Sequence, residues 1–335
     1  MSITVLKAGL LDTIQDEGRY GHQHQGINPG GVMDTAAAAI ANMLVGNEAG
    51  ETVIEVHFPA CSLLFNKACM VALAGANFTA VINNEPAPLH TAIIVSAGSV
   101  LTFVKPVWGA RCYVAIQGGW DASYWMGSYS TNLRVQAGGY HGLALRKGDT
   151  VHSRMESFAF AALPGGSVIA TPVRADASPL YEAWPFIHCI KGREFTWLGK
   201  DDTAVFQTSS FRVSPQSDRM GYRLNGPVLH AANGQVISTA VTKGTVQLMP
   251  DGQLTVLMAD HQTTGGYPRI AHVTSAAMPL LAQAQIQQQL QFTLVNIEEA
   301  EQLYTKQQQY LQQLQQQCNL QLQHFLSGND HYHRP

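Results

Sequence analysis

The chain has 335 residues, with 20 Lys and Arg against 23 Asp and Glu (net charge −3), 46% hydrophobic residues and 13% charged ones. That balance specifies a folded chain with a sizeable core and excludes a disordered one, and without a Lys/Arg stripe there is no counterion-releasing surface for nucleic acid. The longest apolar run, 92–104, is interrupted by Ser96, Gly98 and Ser99 and is shorter than the roughly 18 residues of a membrane span.

Asp12, Asp16 and Glu17 near the N-terminus do not fit a secretory leader. The 14–34 stretch (IQDEGRYGHQHQGINPGGVMD) then reads as a long polar loop. Gly30 and Gly31 fall just before a helix start, where backbone N–H groups favour an anion. Asp34 is placed as the N-cap of an Ala-rich helix over 35–45, stopped by Gly46-Asn47. His22, His24 and His57 lack the spacing of a helical metal motif, so no metal is expected.

Short β segments follow. Residues 111–117 (RCYVAIQ), 236–242 (VISTAVT) and 254–260 (LTVLMAD) are β-branched or aromatic and bounded by turn residues. The Pro-rich stretch 171–185 marks a domain boundary, giving expected domains over 1–175 and 186–296. Beyond them, 17 Gln fall within 283–323, yet Ile297, Tyr304, Leu311, Cys318 and Phe325 recur every seven residues. This predicts a helix over 297–326, packed on its own domain, on a second copy or on a partner subunit. The five Cys are scattered with no CxxC pair, which reads as buried free thiols in a reducing cytoplasm.

Four stretches concentrate the groups that chemistry needs. The first holds Asp16, Arg19 and Gly31; the second, 118–131 (GGWDASYWMGSYST), holds Ser128 and Ser130 without a GxSxG elbow. The third, 217–224 (SDRMGYRL), sets Asp218 beside Arg219 and Arg223, a fork able to grip a carboxylate. The fourth, 259–269 (ADHQTTGGYPR), packs Asp260, His261, Gln262, Thr263, Thr264, Gly265, Gly266, Tyr267 and Arg269 after a predicted strand. A plain turn needs one or two such groups, whereas a site for a small polar anion needs many. Asp16, Asp218, Asp260 and His261 are the candidates for proton transfer. Neither GxGxxG nor GxxxxGK[ST] is present, so no ATP site is expected on this chain.

The set GLLDTIQDEGRYGHQHQGINPGGVMD, NMLVGN, GGWD, GSYST, SDRMGYRL, GTVQLMPDGQ and ADHQTTGGYPRIA resembles the biotin-dependent carboxyltransferase-like family that includes the C subunit of 5-oxoprolinase. Allophanate hydrolase subunit 2, an antagonist of a sporulation-kinase inhibitor and the carboxyltransferase region of urea carboxylase are its relatives. The resemblance runs from about residue 3 to residue 300. It implies a mainly β fold with a few helices: two cyclophilin-like β-barrel domains facing a cleft, here followed by a long C-terminal helix outside the family pattern. It further implies a complex with 5-oxoprolinase subunits A and B that opens the 5-oxoproline lactam to glutamate. In that reading the complex spends ATP, this chain binds no cofactor, and the chain is inactive alone. Two other readings stay open. One is carboxyl transfer to a urea-like amide with a separate biotin carrier; the other is a non-catalytic regulator binding a kinase inhibitor. Two family cations are replaced, by Tyr129 and His261.

Overall fold

A computed structural model describes residues 1–154, 163–233 and 236–328. The chain groups into two compact units, each assembled from separate stretches. The first contains Met1–Gly18, Asp34–Pro179 and Tyr310–Pro335; the second contains Arg19–Met33 and Leu180–Gln309. The architecture is mainly β with a few helices and a long C-terminal helix, as expected.

The first unit is built from two six-stranded sheets. One runs in the order Thr150–His152, Ser2–Lys7, Ser62–Phe65, Val100–Phe103, Ala80–Ile82, Glu85–Pro86. The other runs Val168–Arg174, Thr91–Val95, Cys69–Asn77, Trp108–Ile116, Val53–Val56, Thr13–Gln15. Alternating apolar residues from both sheets, among them Val5, Leu63, Phe65, Val71, Ile93 and Val114, interdigitate in one core. The Ala-rich helix, Thr35–Leu44, packs on Cys69–Asn77 and Trp108–Ile116. Its buried Ala36, Ala37 and Ala41 let the helix approach the sheet closely. Asp34 caps it as predicted, its carboxylate accepting from Ala37 N at 2.9 Å.

The second unit is a closed seven-stranded barrel. Its order is Phe186–Lys191, Arg269–Val273, Thr245–Leu248, Leu254–Leu257, Gly221–Asn225, Phe211–Val213, Gln289–Leu294, and a parallel pairing of the first and last strands closes it. Phe206 stacks on Phe292 at 5.0 Å in a core that also takes Met33 from the 19–33 segment. The predicted strand over 236–242 is reduced to Thr239–Ala240, which pairs only with Thr264–Gly265 in a short two-stranded ribbon. Among the described residues no barrel strand pairs with it.

The C-terminal helix spans Ile297–Ser327. The seven-residue stripe is not the buried one. Leu314, Cys318, Leu322 and Leu326, spaced by four, are buried, while Ile297 and Tyr304 are exposed. Within the first unit Leu322 abuts Gly46, and Tyr310 Oη donates to Asp176 O at 2.7 Å. A straight helix packed on a sheet unit follows the 3.6-residue period, and the heptad drifts off that face. Gln307 Nε2 donates to Ala276 O and Gln321 Oε1 accepts from Arg174 N, each within its own unit. All five Cys are free and buried. Among the described residues no helix is long and apolar enough to cross a membrane, and no group of His, Cys, Asp and Glu could hold a metal.

Candidate functional site

In the second unit the site starts from strand register. Gly221 pairs with Leu257, so the residues just before one strand and just after the other emerge at the same end of the barrel. Arg219 and Asp260 meet there. Arg219 Nε donates to Asp260 Oδ2 at 2.8 Å and Nη2 to Oδ1 at 3.1 Å, a bidentate fork. Nη2 also donates to Gly31 O at 2.7 Å, which fastens the 19–33 segment to the barrel. Lys243 Nζ adds bonds to Val32 O at 3.2 Å and Met33 O at 3.0 Å.

Arg19 lies within this fastening, its side chain almost wholly buried. Gly30 has φ +65, and a Cβ there would stand 3.0 Å from Arg19 Nη1 and 3.7 Å from Asp260 Oδ1. Glycine is therefore needed twice over, for the left-handed backbone and for room beside the guanidinium.

His261 follows directly and is 1% exposed. Its Nδ1 lies 2.6 Å from Gln262 O, an acceptor, so Nδ1 carries the proton and Nε2 the lone pair. Burial lowers its pKa below the ordinary 6.5, and the neighbouring Lys243 charge adds to that shift, against the Gln262 carbonyl and Asp260. The imidazole is thus held neutral with a fixed tautomer.

The other candidates in this unit are placed differently. Asp218 caps its own turn, accepting from Met220 N at 2.8 Å and Gly221 N at 3.1 Å. Arg223 points out from the barrel to Gln216 at 3.2 Å, so Asp218, Arg219 and Arg223 do not form the anticipated carboxylate fork. Arg269 is engaged by Glu194 through Nε at 2.9 Å and Nη2 at 2.7 Å, and Nη1 reaches Thr239 Oγ1 at 2.8 Å. That bidentate pairing, ahead of all other influences, holds the Glu194 carboxyl below its usual range. Thr263, Thr264, Gly265 and Gly266 form or flank one side of the ribbon, whose Thr263 O accepts from Val241 N at 3.1 Å. Gly265 is required by close approach rather than as an anion nest: a Cβ there would fall 2.4 Å from Gln247 Nε2. Tyr267 follows, half-buried, and leads into the Arg269–Val273 strand.

The first unit carries a second cluster. Asp16 Oδ1 accepts from Ser128 Oγ at 2.6 Å, Ser130 Oγ at 2.5 Å and Gly18 N at 2.8 Å, and Oδ2 from Tyr129 N at 2.6 Å. These bonds fix the middle of the long 117–149 connection, a stretch with only isolated bridges. The Tyr129 ring lies 4.6 Å beneath the Arg154 guanidinium and 4.9 Å from Tyr124. Arg154 in turn pairs with Glu51. A cation thus stands beside position 129 after all, supplied from a residue 25 positions further on (154 against 129) that sequence reasoning did not single out.

Lys243 and Gln247 were likewise missed. Lys243 stands in a turn (TKGT) and Gln247 in a strand, and a lone Lys or Gln in such settings carries no sequence signal of its own.

A family model described as carboxyltransferase domain, subdomain A and B, matches residues 25–294. The chain is 34% identical to the C subunit of 5-oxoprolinase from Escherichia coli (strain K12) over 313 residues, covering 93% of this chain and 97% of that protein. It is 32% identical to the protein of the same name from Haemophilus influenzae, again over 93% of this chain and 97% of the other. Among solved structures, the K. lactis urea amidolyase superposes with a TM-score of 0.85 at 24% identity, over 93% of this chain and 20% of that much longer one. At that identity the likeness is one of fold.

Proposed function

The chain belongs to the family of the carboxyltransferase domain, subdomain A and B, and from that membership we propose that it is the subunit of a 5-oxoprolinase complex that handles the lactam ring. The observation that carries this reading is the near-full-length likeness to two proteins named as the C subunit of 5-oxoprolinase. The second unit supplies groups suited to the task. His261, neutral and with Nε2 as acceptor, takes a proton at neutral pH as a general base. Asp260 is bound by Arg219, so the pair acts by fixing the loop that presents His261 and the segment that bears Arg19. Arg19, buried and beside Gly30, is the guanidinium assigned to the substrate carboxylate. Arg219 and Arg269, each already spanning an internal carboxylate, are positioning residues in this scheme. Subunits A and B are the partners, ATP is bound and spent on them, and the isolated chain does not turn over.

The test is reconstitution. ATP-dependent conversion of 5-oxoproline to glutamate is measured with the presumed partners, with this chain present, omitted, or carrying His261→Gln. We expect activity only in the complete mixture and a loss of about 10²-fold or more with His261→Gln. Equal consumption without the chain would remove the reading. Biotin-dependent carboxylation of urea by the chain with a biotin carrier would replace it with the carboxyl-transfer alternative.

A further inference from the structure

Gln247 sits on the outer side of the barrel, in strand Thr245–Leu248, between Val246 and Leu248, which both point into the core. An outward-facing residue on a barrel strand ordinarily meets water. This one is 1% exposed, because the Thr239–Ala240 and Thr264–Gly265 ribbon lies over it. Its carboxamide nitrogen is sealed from solvent and has no hydrogen-bond partner among the described residues. It is packed directly against Gly265, so closely that a Cβ there would fall 2.4 Å from it, and the ribbon is what covers it. The cross-strand neighbours are Thr255 on one side and Arg269 on the other. Arg269 is held by Glu194 and in turn holds the ribbon through Thr239.

A buried donor left unpaired opposes folding, and an apolar side chain of the same length would remove that cost. Keeping a carboxamide here needs a reason other than stability. The ribbon has two residues per strand and is fastened to the barrel through the Arg269–Thr239 side-chain bond described above, so it is a small element whose displacement disturbs no barrel ladder.

We propose that Gln247 is a specificity-determining residue that donates a hydrogen bond to a carbonyl or carboxylate oxygen of the substrate, reached when the ribbon lifts and satisfied when it closes. The ribbon is continuous in sequence with His261, three residues before Thr264. The proposal rests on the function proposed above for the choice of 5-oxoproline as probe; the ligand class, an oxygen acceptor on a small molecule, rests on Gln247 alone.

Gln247→Met tests it, since Met fills the same length without a donor. For the chain without ligand, the variant is expected to melt at a higher temperature than wild type. In the reconstituted complex, its apparent KM for 5-oxoproline is expected to rise roughly 5- to 150-fold, the range of one lost hydrogen bond. In the wild-type complex, hydrogen exchange at residues 263–266 is expected to slow on adding 5-oxoproline, and in the variant complex to be unchanged. A lower melting temperature for the variant, or an unchanged KM, would overturn the proposal by making Gln247 a structural residue. A wild-type complex inactive on 5-oxoproline would instead fail the proposed function, and the melting comparison would still decide the role of Gln247.

Discussion

Asp16 in the first unit and Asp260 in the second both follow a strand, and both hold loops in place, yet they do so with opposite chemistry. Asp16 is surrounded by four neutral donors, two hydroxyls and two backbone amides. Asp260 is gripped by one guanidinium. The neutral cage shapes the loop through Ser128 and Ser130 and leaves the charge of the carboxylate uncancelled. The ion pair cancels its own charge, and Nη2 of its guanidinium also donates to Gly31 O. The same residue type therefore organises a local turn in one unit and ties a distant chain segment to the barrel in the other.

The contrast breaks most visibly at the ion pair. Arg219→Met leaves a largely buried carboxylate without its counter-charge and is expected to cost about 3 kcal/mol, at the low end for such pairs because Asp260 is 21% exposed. Urea unfolding measures it, and the double variant Arg219→Met/Asp260→Leu should recover most of the loss. A single variant as stable as wild type would mean the pair contributes nothing. Asp16→Ala is expected to cost about 1.5–3 kcal/mol, since it leaves the buried Ser128 and Ser130 hydroxyls without their charged acceptor but strands no unpaired charge. Its signature is local: faster amide exchange at residues 128–131 than elsewhere in the unit. Uniform acceleration across the unit would contradict a loop-holding role.

Gly30→Ala sharpens the comparison at the fastened segment. A left-handed backbone and a Cβ at 3.0 Å from Arg19 should together destabilise by about 1–2 kcal/mol. Activity of the complex should fall by more than stability explains, because Arg19 is displaced; an activity loss that tracks the stability loss alone would argue against Arg19 as a ligand.

The smallest effect is in pH. His261 has a folded pKa below 6.5, so the unfolded chain takes up its proton first and stability is lost as pH falls below 6.5. His90 and His272, also lowered by burial, act in the same direction. Asp12 acts against them: burial pushes it up from 3.8 to about 6, so its contribution falls as pH rises through that window. His261→Gln should flatten the decline of unfolding free energy between pH 7 and 5, read from urea unfolding at each pH, by at most about 1.4 kcal/mol per pH unit. An unchanged profile would show that His261 is not titrating there.

Much of the scaffold was legible because local chemistry decided it. Asp34, the alanines behind it and the Gly46 stop fixed the first helix within a residue of its observed end. The β-rich strands at 111–117 and 254–260 were visible for the same reason. Of the candidate site, Asp16, Ser128 and Ser130 were singled out in two separate stretches, and Asp260 next to His261 in a third. What sequence did not reveal was partnership. Arg219 and Arg223 look alike on paper, but strand alternation sends Arg223 out to Gln216, while Arg219 lies past the strand end and turns to Asp260. Arg269 reads as a ligand until Glu194, 75 positions away, occupies it. The helix stripe was misjudged because the seven-residue spacing and the four-residue spacing coexist in one sequence, and only the neighbouring surface selects between them.

The interleaving of the two units has a consequence for biosynthesis. The first unit includes Tyr310–Pro335, which the ribosome adds only after all of the second unit's residues. The second includes Arg19–Met33, made before most of the first. Neither can mature as a nascent domain while the other waits, contrary to the usual domain-by-domain order. Stalling translation at codon 309 should therefore yield a protease-sensitive first unit, although its sheets are already complete in sequence.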